Sequence, residues 1–334
     1  MSASHVYLHS YLGAFADTLA RPDVTDIYVN RPGEMWVETL GGETERHDAP
    51  RLDEATLARL VRQIAAQSSQ GISREHPILS ATLPDGARVQ VVAPPATRGP
   101  LALAIRKHIV TAPSLGDYIA SGAFANTDCS EAERDRSNEQ LGALHKAGDL
   151  ATLLATAVRT RRNILVAGGT STGKTTFLNA LLREVPLSER LILIEDTPEL
   201  QVDHPNRIGL LAARSVLGEA AVTSEDLLNA SLRMRPDRII LGELRGPEAF
   251  SFLRAVNTGH PGSMTTIHAD SPARAVDQLA LLVLQSGARL TYDNVVRYVE
   301  TTIDVYVQLE RTAGRRFVSR VELGRRRASS ADTV

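Results

Sequence analysis

Apolar positions change rhythm along this chain, and the rhythm predicts its elements. Leu8, Leu12, Phe15 and Leu19 fall on one face of a 3.6-residue period, so residues 5–20 are expected as an amphipathic helix that Arg21-Pro22 ends. In "VTDIYVNRPGEMWVE" two short apolar runs flank a turn signal, which predicts a hairpin with Trp36 as a core anchor. Residues 53–69 carry Leu57, Leu60, Val61 and Ile64 on one side, a second helix. "ILSATLPDGARVQVVAPP" predicts another hairpin around Pro84-Asp85-Gly86, and alternation in "LALAIRK" predicts a further strand. Residues 1–109 therefore read as a small α+β domain with an antiparallel sheet.

The pattern then loses its period. In residues 110–150 a short apolar piece, "SLGDYIASGAF", precedes a charged run to Gln140, so a partly flexible linker is expected. From residue 151 to 334 the reading is α/β. "NILVAGG", "RLILIED" and "RIILGE" are continuous apolar runs of the kind found in parallel strands buried on both faces, with helical stretches between them.

Chemistry gathers at the ends of those runs. Gly168-Gly169-Thr170-Ser171-Thr172-Gly173-Lys174-Thr175 matches GxxxxGK[ST] in full, between an expected strand and an expected helix. Glycines there let successive N–H groups turn toward phosphate oxygens, and the following helix aims its positive end at the same anion. Lys174 can reach the β- and γ-phosphates, and the Thr175 hydroxyl can ligate Mg²⁺. The motif alone leaves ATP and GTP, hydrolase and kinase, all open.

Glu195 and Asp196 end "LILIED", where a carboxylate can orient or deprotonate water. "RIILGELRG" ends in Gly242-Glu243, with glycine at the position where such a strand usually carries a metal-linked aspartate. A second strand-end acid suits a site that needs oxygen ligands for Mg²⁺. His260 and His268 in "NTGHPGSMTTIHAD" lack the spacing of a zinc helix; each is either a structural histidine or a hydrogen-bonding sensor of phosphate.

Composition narrows the setting. The 334 residues are 43% hydrophobic with a net charge of -2, so the whole molecule is not a polyanion binder. Seven arginines lie between Arg311 and Arg327, either a solvated basic face or a contact for an acidic partner, anionic lipid or nucleic acid. At 4% aromatic, the chain has no stacking segment to support direct nucleic-acid binding. The single Cys129 excludes an internal disulfide and a four-cysteine zinc site, and suits a reducing compartment. No apolar run reaches membrane-spanning length and no export signal is visible, so a cytoplasmic location is expected, with a peripheral membrane position open.

Together, "GGTSTGKTT", "LIEDTPEL", "RMRPDRIILGELRG" and "NTGHPGSMTTIHAD" resemble the Walker A, Asp box, Walker B and His box of the secretion-superfamily ATPases, most of all the ring ATPases of type IV secretion and conjugation. The first domain also resembles that family's, and the likeness spans about residues 10–320. It implies a RecA-like ATPase domain. It further implies a homohexameric ring that uses Mg²⁺ and ATP and docks on an inner-membrane apparatus together with its cytoplasmic components. By this resemblance Gly242-Glu243 is the family's usual ending: Glu243 takes the metal-linked and water-activating role, Glu195 assists, and His268 lies near the γ-phosphate. Thr176 joins the loop residues as a nucleotide contact. An arginine from the first domain reaches the nucleotide, Arg106 being the better match and Arg88 the weaker, and Arg245 can serve across a subunit boundary. A type II secretion or pilus ATPase is the neighbouring alternative, which the missing cysteines disfavour. A nucleotide-gated assembly module with little turnover is a further one, as is a nucleic-acid translocase using the basic tail.

Overall fold

The computed structural model describes residues 8, 10–108, 114–125, 127, 129–213 and 219–324. Parts of the first expected helix, of the linker and of the basic tail (Arg325 to Arg327) lie outside the described residues, as does the Cys129 side chain. Two sheets organise the chain. The first has β1 (Val24–Val29), β2 (Gly33–Thr39), β3 (Thr44–Ala49), β4 (Ile78–Thr82), β5 (Arg88–Val92) and β6 (Ala102–Arg106), in the order β3-β2-β1-β6-β5-β4. All five of its pairings are antiparallel. The helix Glu54–Gln67 lays Leu57, Leu60, Val61 and Ile64 against it, and its Asp53 cap accepts from Thr56 N. Both expected hairpins form, and β3, polar and alternately exposed, is an addition.

The second sheet has β7 (Ile164–Gly168), β8 (Leu191–Glu195), β9 (Arg207–Leu211), β10 (Arg238–Leu241), β11 (Met264–Ile267), β12 (Val305–Thr312) and β13 (Arg315–Leu323). The order is β13-β12-β7-β11-β10-β8-β9. Pairing is parallel, as expected, except between β12 and β13, so the sheet is mostly parallel with one antiparallel closing hairpin. Every residue of β7, β8, β10 and β11 is buried, which is why those runs read as continuous apolar stretches. Much of the basic stretch beginning at Arg311 is this closing hairpin: Arg315, Arg316 and Arg320 sit on β13.

The charged run is not a linker without structure. It forms a helix, Cys129–Ala147, preceded by a short one at Leu115–Ala120. It is tied to the core at both halves: Arg134 O accepts from the buried Arg162 at 3.0 Å, Leu141 is buried with Leu153 and Ile164, and His145 Nε2 lies 2.8 Å from Val321 O. One apolar residue per several turns cannot produce a helical period, so the pattern concealed it.

The two sheets are joined directly. The segment between β5 and β6 runs along β9: Thr97 bridges Leu210 in antiparallel fashion, and Arg98 N donates to Gly209 O at 2.8 Å. Arg190, fully buried, stacks on the Tyr28 ring at 4.1 Å and donates to Asn30 Oδ1 and Asn206 Oδ1. Arg235 pairs with Glu38 at 2.6 Å.

Candidate nucleotide site

Four neighbouring parallel strands, β7, β11, β10 and β8, end on the same side. Their register sets Ala167 beside Ile267 and Leu241 beside Ile194. The residues that follow, Gly168, His268, Glu243 and Glu195, therefore form a row at the carboxyl edge of the sheet, where α/β folds place ligands.

The phosphate loop leaves β7 and enters the helix Lys174–Leu182. Ser171 and Gly173 hold positive φ (61° and 93°), the turns that point loop N–H groups inward. Gly168 is required by its surroundings, since a Cβ there would lie 2.5 Å from Thr172 Oγ1 and 2.9 Å from Leu309 O. Thr172 Oγ1 donates to Gly169 O at 2.9 Å, closing the loop. Lys174 Nζ donates to Gly168 O at 3.0 Å and Gly169 O at 3.1 Å, and lies 3.3 Å from His268 Nε2. Burial lowers the Lys174 value below that of an ordinary lysine; Glu243 opposes this and Arg245 reinforces it. Thr170 and Thr176 are exposed beside the loop.

Glu243 is the hub. Its Oε1 lies 2.8 Å from His268 Nε2, and its Oε2 accepts from Arg245 Nε at 2.8 Å. Arg245 also meets Asp196 at 3.3 Å. Burial alone would lower the Arg245 value, but the bond to Glu243 and the acids around it hold it above its ordinary range. Glu195 faces the same space but is fully engaged. One oxygen accepts from Glu199 N at 2.9 Å and Leu200 N at 2.6 Å, and the other pairs with Arg98. Gly242 makes room for that side chain, since a Cβ there would lie 3.2 Å from Glu195 Cγ.

The donor set suits a hard cation. Thr175, Asp196, Glu199 and Glu243 line one cavity and offer oxygen, with Thr175 Oγ1 3.1 Å from Glu199 Oε2, although among the described residues no group of three or more carboxylates or imidazoles is gathered closely enough to hold a metal ion as it stands. Hydroxyl and carboxylate oxygens without thiol or clustered imidazole match Mg²⁺ and not zinc.

Lys174, Thr175, Glu243, Glu195, His268 and Arg245 thus come together. Arg88 and Arg106 do not join them within this chain. They are cross-strand partners on β5 and β6, they line a separate cavity with Leu232 and Arg233, and Arg106 Nε donates to Asp26 Oδ1 at 2.8 Å. The first-domain arginine that does reach the site is Arg98, which the sequence reading passed over. A glycine inside the strand "RIGLL" was its one available signal, because such a glycine marks a close approach. Glu199 and Arg316 were also missed; a Cβ on Gly173 would lie 3.3 Å from Arg316 Cδ, so the basic hairpin borders the loop. His260 is structural, its Nδ1 2.9 Å from Pro236 O.

The family model described as "Type II/IV secretion system protein" matches residues 13–315. The chain is 41% identical over 294 residues to the type IV secretion system protein VirB11 of Brucella suis, covering 86% of this chain and 81% of that one. It is 39% identical over 313 residues to the type IV secretion system protein PtlH of Bordetella pertussis, covering 91% and 90%. The crystal structure of the Brucella suis VirB11 ATPase in complex with sulphate superposes with a TM-score of 0.88 at 37% identity, covering 96% of this chain and 95% of that one. The chain belongs to the type II/IV secretion system protein family and, within it, to the traffic ATPases of type IV secretion.

Proposed function

We propose that this chain hydrolyses Mg²⁺·ATP at the row of strand ends and that the turnover drives a type IV secretion apparatus. The observation that carries the reading is the convergence of the phosphate loop, Glu243 and His268 on adjacent parallel strands. The loop N–H groups and Lys174 cradle the phosphates, so that charge developing on the transferring phosphoryl group meets fixed positive ends. Glu243 takes the proton of the attacking water as its oxygen bonds to the γ-phosphorus and ADP leaves. His268, beside both Lys174 and Glu243, senses the γ-phosphate by a hydrogen bond, and Arg245 keeps the Glu243 carboxylate aimed. Mg²⁺ would be held by Thr175 Oγ1 and, directly or through water, by Glu243, and it neutralises phosphate charge.

The family relationship supports a ring of identical chains, six by resemblance, working with other components of the apparatus at the inner membrane. No helix among the described residues is long and apolar enough to cross a membrane. Lys174→Ala should lower kcat/KM for ATP by roughly 100-fold or more. Glu243→Gln should keep nucleotide affinity while slowing turnover by about 100-fold or more. Wild-type turnover in Glu243→Gln would remove that residue from the chemistry. Electron microscopy of the protein with ATP tests the ring.

A further inference from the structure

The path of one side chain links the two domains at the nucleotide site. The segment after β5 is held on the edge strand β9 by the antiparallel Thr97–Leu210 bridge, whose two hydrogen bonds run from Arg98 N to Gly209 O and from Leu211 N to Ala96 O at 2.9 Å, and by Thr97 Oγ1 donating to Gly209 O at 3.2 Å. From there the Arg98 side chain crosses β9 over Gly209. A Cβ on Gly209 would lie 2.5 Å from Arg98 Cδ and 3.0 Å from Cγ and Nε, so only glycine leaves this route open. Beyond the strand the guanidinium pairs with Glu195 and donates to Leu200 O at 2.8 Å. The Glu195 side chain is 3% exposed, and a carboxylate so buried requires a countercharge. Its second oxygen holds Glu199 N and Leu200 N, and the Glu199 side chain meets Thr175.

We propose that Arg98 is a positioning residue for ATP hydrolysis, transmitting the placement of the N-terminal domain through Glu195 to the 196–200 loop and so to Glu199 and Thr175. Glu195 is then an anchor, not a second base, and the water-activating role falls to Glu243. The proposal rests on the ATPase reading above.

The test is a cycle of Arg98→Gln, Glu195→Gln and the double variant, with Arg98→Lys and Gly209→Ala, in steady-state ATP hydrolysis and thermal melts. Arg98→Gln should lower kcat roughly 10- to 100-fold by misplacing the loop. KM should stay within about threefold, since the phosphate cradle is intact. Arg98→Lys, which keeps a charge and a slim chain over Gly209, should recover most of the loss. Gly209→Ala, which leaves the guanidinium in place but obstructs its route, should reproduce the loss. The double variant should be no slower than the slower single variant. Additive losses, or an Arg98→Gln variant with wild-type kcat, overturn the proposal. If Arg98→Gln does not melt cooperatively, Arg98→Lys and Gly209→Ala decide between the same outcomes. A wild type without Lys174-dependent turnover defeats the ATPase reading instead; the cycle is then read in melting temperature, where absence of coupling overturns the Arg98–Glu195 link.

Discussion

Gly242 turns a seeming defect in the metal strand into a packing requirement. The Glu195 side chain lies against it, so a Cβ there would sit 3.2 Å from Glu195 Cγ and an aspartate at that position would crowd the neighbouring acid. Gly242→Asp should therefore not improve the site. It should push Glu195 off its two N–H donors and lower kcat roughly 10- to 100-fold, as a displacement near 1 Å does. An ATPase assay checks this, and equal or faster turnover would show that the two strand ends do not compete for space. The acids and the loop were legible because each ends an apolar run. Arg98 was not, because its partner lies on another domain and only the pairing of β9 with the preceding loop brings it there. Two histidines, His204 buried and His260 half-buried, make a prediction about pH. Burial lowers the values of His204 and His260 from 6.5, so each binds its proton more tightly when unfolded. Stability contributed by the neutral rings is present above pH 6.5 and is lost as pH falls toward the depressed folded-state values. The melting temperature should drop over that window, and His260→Gln should make the drop shallower.

Elements with a single rhythm were readable, and elements without one were not. The helix Glu54–Gln67 and the strands β7, β8 and β10 follow directly from their apolar spacing. The strand β13 did not, because exposed arginines and Ser319 interrupt its apolar positions and it gains its place by pairing with β12. The helix Cys129–Ala147 is similar: its charged, helix-favouring residues cover no core over most of its length. Leu141, buried among Leu153 and Ile164, then bears most of its attachment. Leu141→Ala should cost about 2–5 kcal/mol if the cavity does not collapse. Hydrogen exchange should show the helix losing protection while β7 keeps its own; an unchanged exchange pattern would mean the helix is held mainly by His145 and its polar contacts.

At the scale of the molecule, the question is whether two sheets behave as one body. Their junction combines an apolar cluster, in which Tyr28, Trp36 and Ala104 of the first sheet pack with Ile192 and Leu228 of the second domain, with buried polar contacts that neither sequence pattern announces. Arg190 is its centre. Burial pulls its guanidinium down to about 10, still charged at neutral pH, with Tyr28, Asp237, Glu38 and Asp26 opposing the shift. Its contacts span both domains: the Tyr28 ring and Asn30 on the first, Asn206 and Met234 O on the second. A cation stacked on a desolvated ring and donating to two amide oxygens, one of which also accepts from Asn30 Nδ2 at 3.0 Å, makes a junction that is stable when complete and costly when one member is removed. Arg190→Met keeps the volume and removes the charge. It should destabilise the protein by roughly 2–4 kcal/mol, combining the lost stacking with unpaired polar groups at the junction. The more telling outcome is in the shape of the transition. A wild type whose domains unfold together gives one calorimetric peak, and Arg190→Met should broaden or split it, because beyond the apolar cluster they share each sheet has a core cluster confined to itself. Arg98 must then reach Glu195 from a domain that is no longer fixed, so turnover should fall along with the coupling. A single, unshifted peak with full ATPase activity would locate the rigidity elsewhere, in the pairing of the 96–98 segment with β9.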